Sequence, residues 1–218
     1  MTDGGDLAQL REALFGTAAI DDPTERLLEV AAIIAEAFAD LGVQPVVVGG
    51  LALAYWSDSA FLTGDIDVVM PRLPELSARL EVLGFEREGR EWVLPGHDVA
   101  FEAPGETLEP GDTAEPAELP SGRQIMVLSL EDLLLWRLRE WIHWRAVSGF
   151  HQAARLLVAE PLDAERLGRR AHEEGLTPAL DELKRLTAEI EAGRAYENRE
   201  ISAVAERIAH ASYSPESE

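Results

Sequence analysis

The sequence predicts an α/β fold, α+β in its order: a small mixed sheet flanked by helices over residues 1–128, then a C-terminal helical bundle over residues 129–218. Three observations predict it. Pro45 to Val48 is a continuous apolar run, the mark of a strand buried on both faces. Asp65 to Met70 reads as a second strand, in which Asp65 and Asp67 alternate with Ile66 and Val68. From Ser129 onward the periodicity is helical, interrupted only by Gly149, Pro161, Gly175, Pro178 and Gly193.

Taken in order, residues 6–15 can form a short helix. Asp21-Asp22-Pro23-Thr24 opens a stronger one, with Leu27, Leu28, Ala31, Ile34, Ala35, Phe38 and Leu41 at helical spacing and Gly42 as its stop. The first strand is followed by Gly49-Gly50 and a helix over Leu51 to Trp56, then a loop, Ser57 to Gly64, that contains Thr63. Pro71 ends the second strand, and Leu73 to Leu83 follows as an amphipathic helix. Phe85 to Leu94 is expected as a strand or ragged hairpin around Gly89. His97 to Ala103 is expected as a strand whose alternation puts Asp98 and Glu102 on one face. Residues 104–122, with four prolines and several acids, are expected as a long loop, and Arg123 to Leu128 as the last strand. Ser129 with Asp132 has the pattern of a helix start. Helices are expected over about 130–147, 149–159, 162–174, 178–192 and 198–211.

Composition narrows the function. The chain of 218 residues has no cysteine, which excludes disulfides, thiolate metal sites and cysteine nucleophiles. No apolar run reaches membrane-spanning length and the acidic N-terminus is not a signal peptide, so a soluble cytoplasmic protein is the expectation. Net charge is −22; residues 1–128 carry 24 acids against 7 bases, and residues 129–218 carry 17 against 12. That field repels extended nucleic acid, though not a single tRNA terminus.

Two carboxylates fixed side by side on a strand need a compensating cation, and a divalent metal is the usual one. Gly49-Gly50 lets backbone approach a ligand closely, and the helix after it offers N-terminal amides to an anion. Metal plus phosphate is the chemistry this stretch points to.

Val47-Val48-Gly49-Gly50-Leu51-Ala52-Leu53 followed by Thr63-Gly64-Asp65-Ile66-Asp67-Val68-Val69 resembles the nucleotidyltransferase superfamily, built on the DNA polymerase β-like fold. Within it, the chain is similar to small prokaryotic families related to toxin–antitoxin and abortive-infection enzymes. Val99 to Gly105 resembles the family strand that carries a third carboxylate. Ser129-Leu130-Glu131-Asp132, Arg137-Leu138, His143-Trp144 and Gln152-Ala153-Ala154 resemble the helical half. The resemblance implies that Gly49, Gly50 and Thr63 bind the nucleotide phosphates. It implies that Asp65 and Asp67 hold Mg²⁺ or Mn²⁺, and that Glu102 is the third acid, as metal ligand or general base. The implied reaction is transfer of an NMP from an NTP to a hydroxyl of an unidentified small molecule, protein or tRNA end. One position departs from the pattern: where many relatives carry a base there is Phe61, and Ser57 to Leu62 has none. Arg72, Arg137 or Arg145 then holds the substrate, or catalysis is weakened or lost. The alternative is a catalytically degenerate binding module, one half of a toxin–antitoxin-like pair; a phosphohydrolase using the same acids is a third reading.

Other residues read as structural. His143 is expected to pack or hydrogen-bond, Trp136, Trp141 and Trp144 to form core, and Arg166, Arg169 and Arg170 to make a solvated helix face. Asp98 beside His97 is no hydrolase dyad, because no Gly-x-Ser-x-Gly elbow exists.

Overall fold

The computed structural model describes residues 4–213. The chain divides into two compact units, Met1–Ser129 and Leu130–Glu218.

The first unit begins with α1 (Gly4–Gly16) and α2 (Pro23–Phe38). Asp22 caps α2 by accepting from the Glu25 N–H at 2.7 Å, Pro23 takes the first helical position, and Gly42, in the left-handed region, lies beyond the 3-10 turn that prolongs it. Leu27, Val30, Ile33, Ile34, Ala37 and Phe38 are buried, so the helix covers one face of the sheet across a wide stripe.

The strands are β1 (Val46–Val47), β2 (Asp65–Val69), β3 (Glu86–Glu88), β4 (Glu91–Leu94), β5 (Val99–Gly105), β6 (Ala114–Glu118) and β7 (Gln124–Leu128). They form one mixed sheet in the order β3-β4-β5-β2-β1-β7-β6. The pairs β2–β5 and β1–β7 are parallel; β1–β2 in the centre and the pairs at both edges are antiparallel. Between them run α3 (Gly49–Trp56) and α4 (Pro74–Leu83). The core lies where Ile66, Val68, Phe101, Leu94, Val47 and Val127 meet the helices.

Three expectations need correction here. The helix after the first strand starts at Gly49, so the glycine pair is its first turn and not a turn ahead of it. Residues 104–122 are not one long loop: β5 runs on to Gly105, and β6 pairs antiparallel with β7 from Ala114↔Leu128 to Glu118↔Gln124. As an edge strand it tolerates Pro116 and, with Ala117 its one buried residue, it shows no hydrophobic alternation to read. Asp98 is off the strand, in a turn with φ +49, so it does not share a face with Glu102.

The second unit is helical: α5 (Leu130–Trp144), α6 (Val147–Leu157), α7 (Ala164–Glu173), α8 (Thr177–Glu191) and α9 (Asn198–Tyr213). Its core centres on Trp141, whose ring lies 5.1 Å from Phe150 and whose indole N–H donates to the Ile201 carbonyl. Gly149 lets α6 lie this close to α5, since a β-carbon there would meet the Arg137 carbonyl oxygen at 2.7 Å. Trp144, expected in the core, is 74% exposed: it is the last residue of α5, past the turns that α6 covers. Arg166 and Arg170, expected on a solvated face, turn inward instead. Arg166 Nη1 lies 2.9 Å from Glu131 Oε2, and Arg170 Nε 3.2 Å from Asp132 Oδ1. Glu131 and Asp132 are buried in the first turn of α5, and burial of two carboxylates demands cationic partners. Arg169 does face solvent.

Candidate active site

The acids stand on the two parallel strands at the middle of the sheet. The register pairs Asp65 with Ala100, Ile66 with Phe101 and Asp67 with Glu102. Paired residues of neighbouring strands share a face. Ile66 and Phe101 are therefore both in the core, at 0% and 1% exposure, and Asp65, Asp67 and Glu102 project together from the opposite face. Asp65 is exposed; Asp67 and Glu102 are half-buried.

Each acid has a neighbour that fixes it. The Thr63 hydroxyl donates to Asp65 Oδ1, and the Asp65 N–H approaches Thr63 Oγ1 at 3.4 Å, closing the loop onto the strand. Asp67 lies against the start of α3. Its backbone carbonyl accepts from the Val48 N–H at 2.9 Å. Its carboxylate fills the space beside Gly49: a β-carbon at Gly49 would clash with Oδ2 and stand 3.1 Å from Cγ, and φ there is +62°. Gly50 does the same for the threonine, as a β-carbon would meet Thr63 Oγ1 at 2.7 Å. The glycine pair thus makes room for the two side chains that shape the acid face. Glu102 has a neighbour of its own, with Oε1 3.6 Å from Arg90 Nε.

Carboxylate oxygens are the donors that Mg²⁺ and Mn²⁺ take, so the three acids fit such an ion in kind and in strand position. As placed, though, Asp65 is held by Thr63 and Glu102 by Arg90. Among the described residues no group of three or more His, Cys, Asp or Glu is gathered closely enough to hold a metal.

The loop between Trp56 and Asp65 carries the departure at Phe61. Asp58 and Ser59 both have φ near +57°, and the Ser59 N–H donates to the Ala54 carbonyl at 2.8 Å, so the chain turns tightly off α3. Trp56 anchors that end through its indole N–H to the Leu128 carbonyl at 2.8 Å. Leu62, next to Phe61 in this loop without a base, is 69% exposed. His97, which stacks edge-on against Phe15, and Asp98 are not in the acid group. His143 is exposed at the end of α5 beside Trp144. Arg90 is the residue that sequence reasoning missed. The Gly89 turn was visible in the sequence; that it delivers Arg90 to Glu102 depends on the β4–β5 register, which was not.

No protein-family model matches the chain, and no curated protein matches it in sequence. Among solved structures it is similar to an antigenic nucleotidyltransferase-like protein from Paracoccidioides brasiliensis, with TM-score 0.51 and 16% identity, over 74% of this chain and 93% of that one. It is also similar to the antibiotic-resistance factor ANT(2'')-Ia, with TM-score 0.48 and 18% identity, over 79% of this chain and all of that one. At these identities the likeness is one of fold. The chain has the nucleotidyltransferase-type fold that the glycine and aspartate motifs led one to expect. No helix among the described residues is long and apolar enough to cross a membrane.

Proposed function

We propose that this chain transfers an NMP from an NTP to a hydroxyl group, with Asp65 and Asp67 holding a divalent metal and Glu102 as the third acid. The observation that carries the reading is the register of Asp67 against Glu102 on parallel strands, with Asp65 on the same face. A bound Mg²⁺ or Mn²⁺ would neutralise the triphosphate and orient it for in-line displacement. The chain's own residues do the rest. Thr63 holds Asp65 and Gly49 makes room for Asp67, which keeps both on the acid face, and metal binding would draw the acids together. The first turn of α3 faces the phosphates with backbone amides. Glu102 takes the proton of the acceptor hydroxyl. The acceptor oxygen bonds to the α-phosphorus, the bond from that phosphorus to the bridging oxygen breaks, and pyrophosphate leaves. Arg90 must release Glu102 for this, and an exposed ion pair at 3.6 Å is easily exchanged.

The test is calorimetry with ATP, GTP, CTP and UTP in the presence of Mn²⁺, on the wild-type chain and on Asp65→Asn. Metal-dependent NTP binding that is lost in the variant supports the reading. A second reading, a nucleotidyltransferase fold kept as a non-catalytic binding module, draws on two observations: the acids do not converge into a group of three, and no base stands between Ser57 and Leu62. A folded chain that binds neither NTP nor Mn²⁺ at millimolar concentration would overturn the transferase reading and leave the second.

A further inference from the structure

The strand register builds a row of side chains across one edge of the sheet. Arg87 on β3 pairs with Trp92 on β4, and Trp92 pairs with Phe101 on β5. Paired residues share a face, so Arg87 stands on the face of Phe101 and Ile66, opposite to the one from which Asp65 and Asp67 project. A cleft of about 410 Å³ opens between this row and α4. That is within the size range of small-molecule sites. Leu76 and Leu80 from the helix, with Trp92 and Phe101 from the strands, are its buried apolar lining. Leu73, just ahead of α4, lines it too and is 38% exposed.

The charge of this lining runs against that of the chain around it. Arg72, Arg87 and Arg90 line the cleft, three of only seven bases in residues 1–128, a stretch with 24 acids. Glu102 is the one acid in the lining, so three positive groups against one negative leave +2. The other arginines of the stretch with ion pairs are firmly committed: Arg79 makes a two-armed pair with Asp40, and Arg123 is held by Glu29 and Glu36. In the cleft, Arg72 reaches Glu106 at 3.7 Å and Arg90 reaches Glu102 at 3.6 Å, both beyond hydrogen-bond length. Both arginines are exposed, and such pairs exchange easily. Arg87 donates from Nε to the Gly89 carbonyl and sets its guanidinium over the Trp92 ring at 5.9 Å. A guanidinium has five donors, so each of the three retains the capacity to bind an anion.

We infer that this cleft is a binding site of its own, separate from the aspartates, for a small phosphate monoester with an apolar or aromatic body. The dianionic phosphate matches the +2 of the lining, and guanidinium forks suit its oxygens. The organic group lies against Leu73 and the Trp92 side of the cleft, where apolar surface would be covered. Cations gathered in one cleft of so acidic a unit also draw an anion to this place in preference to the rest of the surface. Nothing in the site calls for a metal, and it stands whether or not the chain is a transferase.

Phenyl phosphate is the probe, with inorganic phosphate, which lacks the ring, and benzoate, which carries one charge, as comparisons. Calorimetry at low salt in metal-free buffer should show phenyl phosphate binding at least about tenfold tighter than either. Arg72→Gln and Arg87→Gln change exposed side chains, should melt with the wild type, and should each weaken phenyl phosphate about tenfold. Arg11→Gln, outside the cleft, should leave it unchanged. Leu73→Ser keeps a residue suited to the start of α4 while removing apolar lining, and should bring phenyl phosphate close to inorganic phosphate. Failure of phenyl phosphate to bind the folded chain at millimolar concentration would overturn the inference. So would affinity no greater than that of inorganic phosphate or benzoate, or folded Arg72→Gln and Arg87→Gln variants that bind as the wild type does.

Discussion

The Asp67 carboxylate occupies the place where a side chain on Gly49 would have to be. The φ of +62° at Gly49 adds a second demand for glycine, because L-residues rarely adopt it. Gly49→Ala should therefore cost stability by about 1–3 kcal/mol and push Asp67 out of line. Gly50→Ala meets only the Thr63 side chain, at a residue with no positive φ, and should cost less. Urea denaturation of the two variants side by side checks the order; a Gly50→Ala that is the more damaging would contradict it.

In the proposed site, Arg90 would compete with the metal for Glu102. With Arg90→Gln, Glu102 loses its counterion and is available to the acid face. Affinity for Mn²⁺, read by calorimetry without nucleotide, should rise by about two- to fivefold, the scale of an exposed ion pair. Unchanged affinity would mean that Glu102 does not contribute to metal binding.

Asp132 is fully buried between Arg166 and Arg170. Asp132→Ala takes one carboxylate from each arginine, leaving Glu131 on Arg166 and Glu174 on Arg170, and should destabilise the helical unit by about 3 kcal/mol. Replacing the cluster jointly, with Asp132→Leu and Arg170→Met, should recover part of that loss, because burial without charge avoids the desolvation cost. Denaturation followed by far-ultraviolet circular dichroism measures both.

The Glu182 carboxyl is held below its ordinary pKa, chiefly by the hydrogen bond from Arg185. A depressed folded pKa contributes stability above the unfolded value, and that contribution is lost as pH falls through the folded one. The window therefore begins near the usual glutamate value of about 4.3 and extends below it. Glu182→Gln should lower stability at pH 7 while converging with the wild type as the pH drops below that window. Parallel melting curves between pH 7 and pH 3 report the difference; a gap that widens on acidification would refute it.

The acid strand was legible in the sequence because Asp65 and Asp67 alternate with two residues that must be buried, and period two leaves no choice of face. Glu102 was legible for the same reason, next to Phe101. Asp98 was not excluded by that logic: local alternation carries past the end of a strand, and only the turn at positive φ takes it off. The edge strand β6 was hidden because little of it is buried and it contains a proline. The inward turn of Arg166 and Arg170 was hidden because their partners lie some 35 positions earlier, and helical periodicity cannot say which polar face meets another polar face. The exposure of Trp144 depended on where α6 stops covering α5.

The β3–β4 hairpin touches the rest of the sheet only through β4 against β5. The acid strands β2 and β5 are instead bound to each other and to neighbours on both sides. The hairpin supplies Arg87, Arg90 and Trp92 without carrying any of the aspartates. Insertions, deletions and substitutions between Glu86 and Glu91, all exposed, can accumulate there while the ladder that aligns Asp67 with Glu102 stays intact. This edge of the sheet can therefore change its surface without disturbing the alignment of the acid strands, and a hairpin graft is the natural way to vary it.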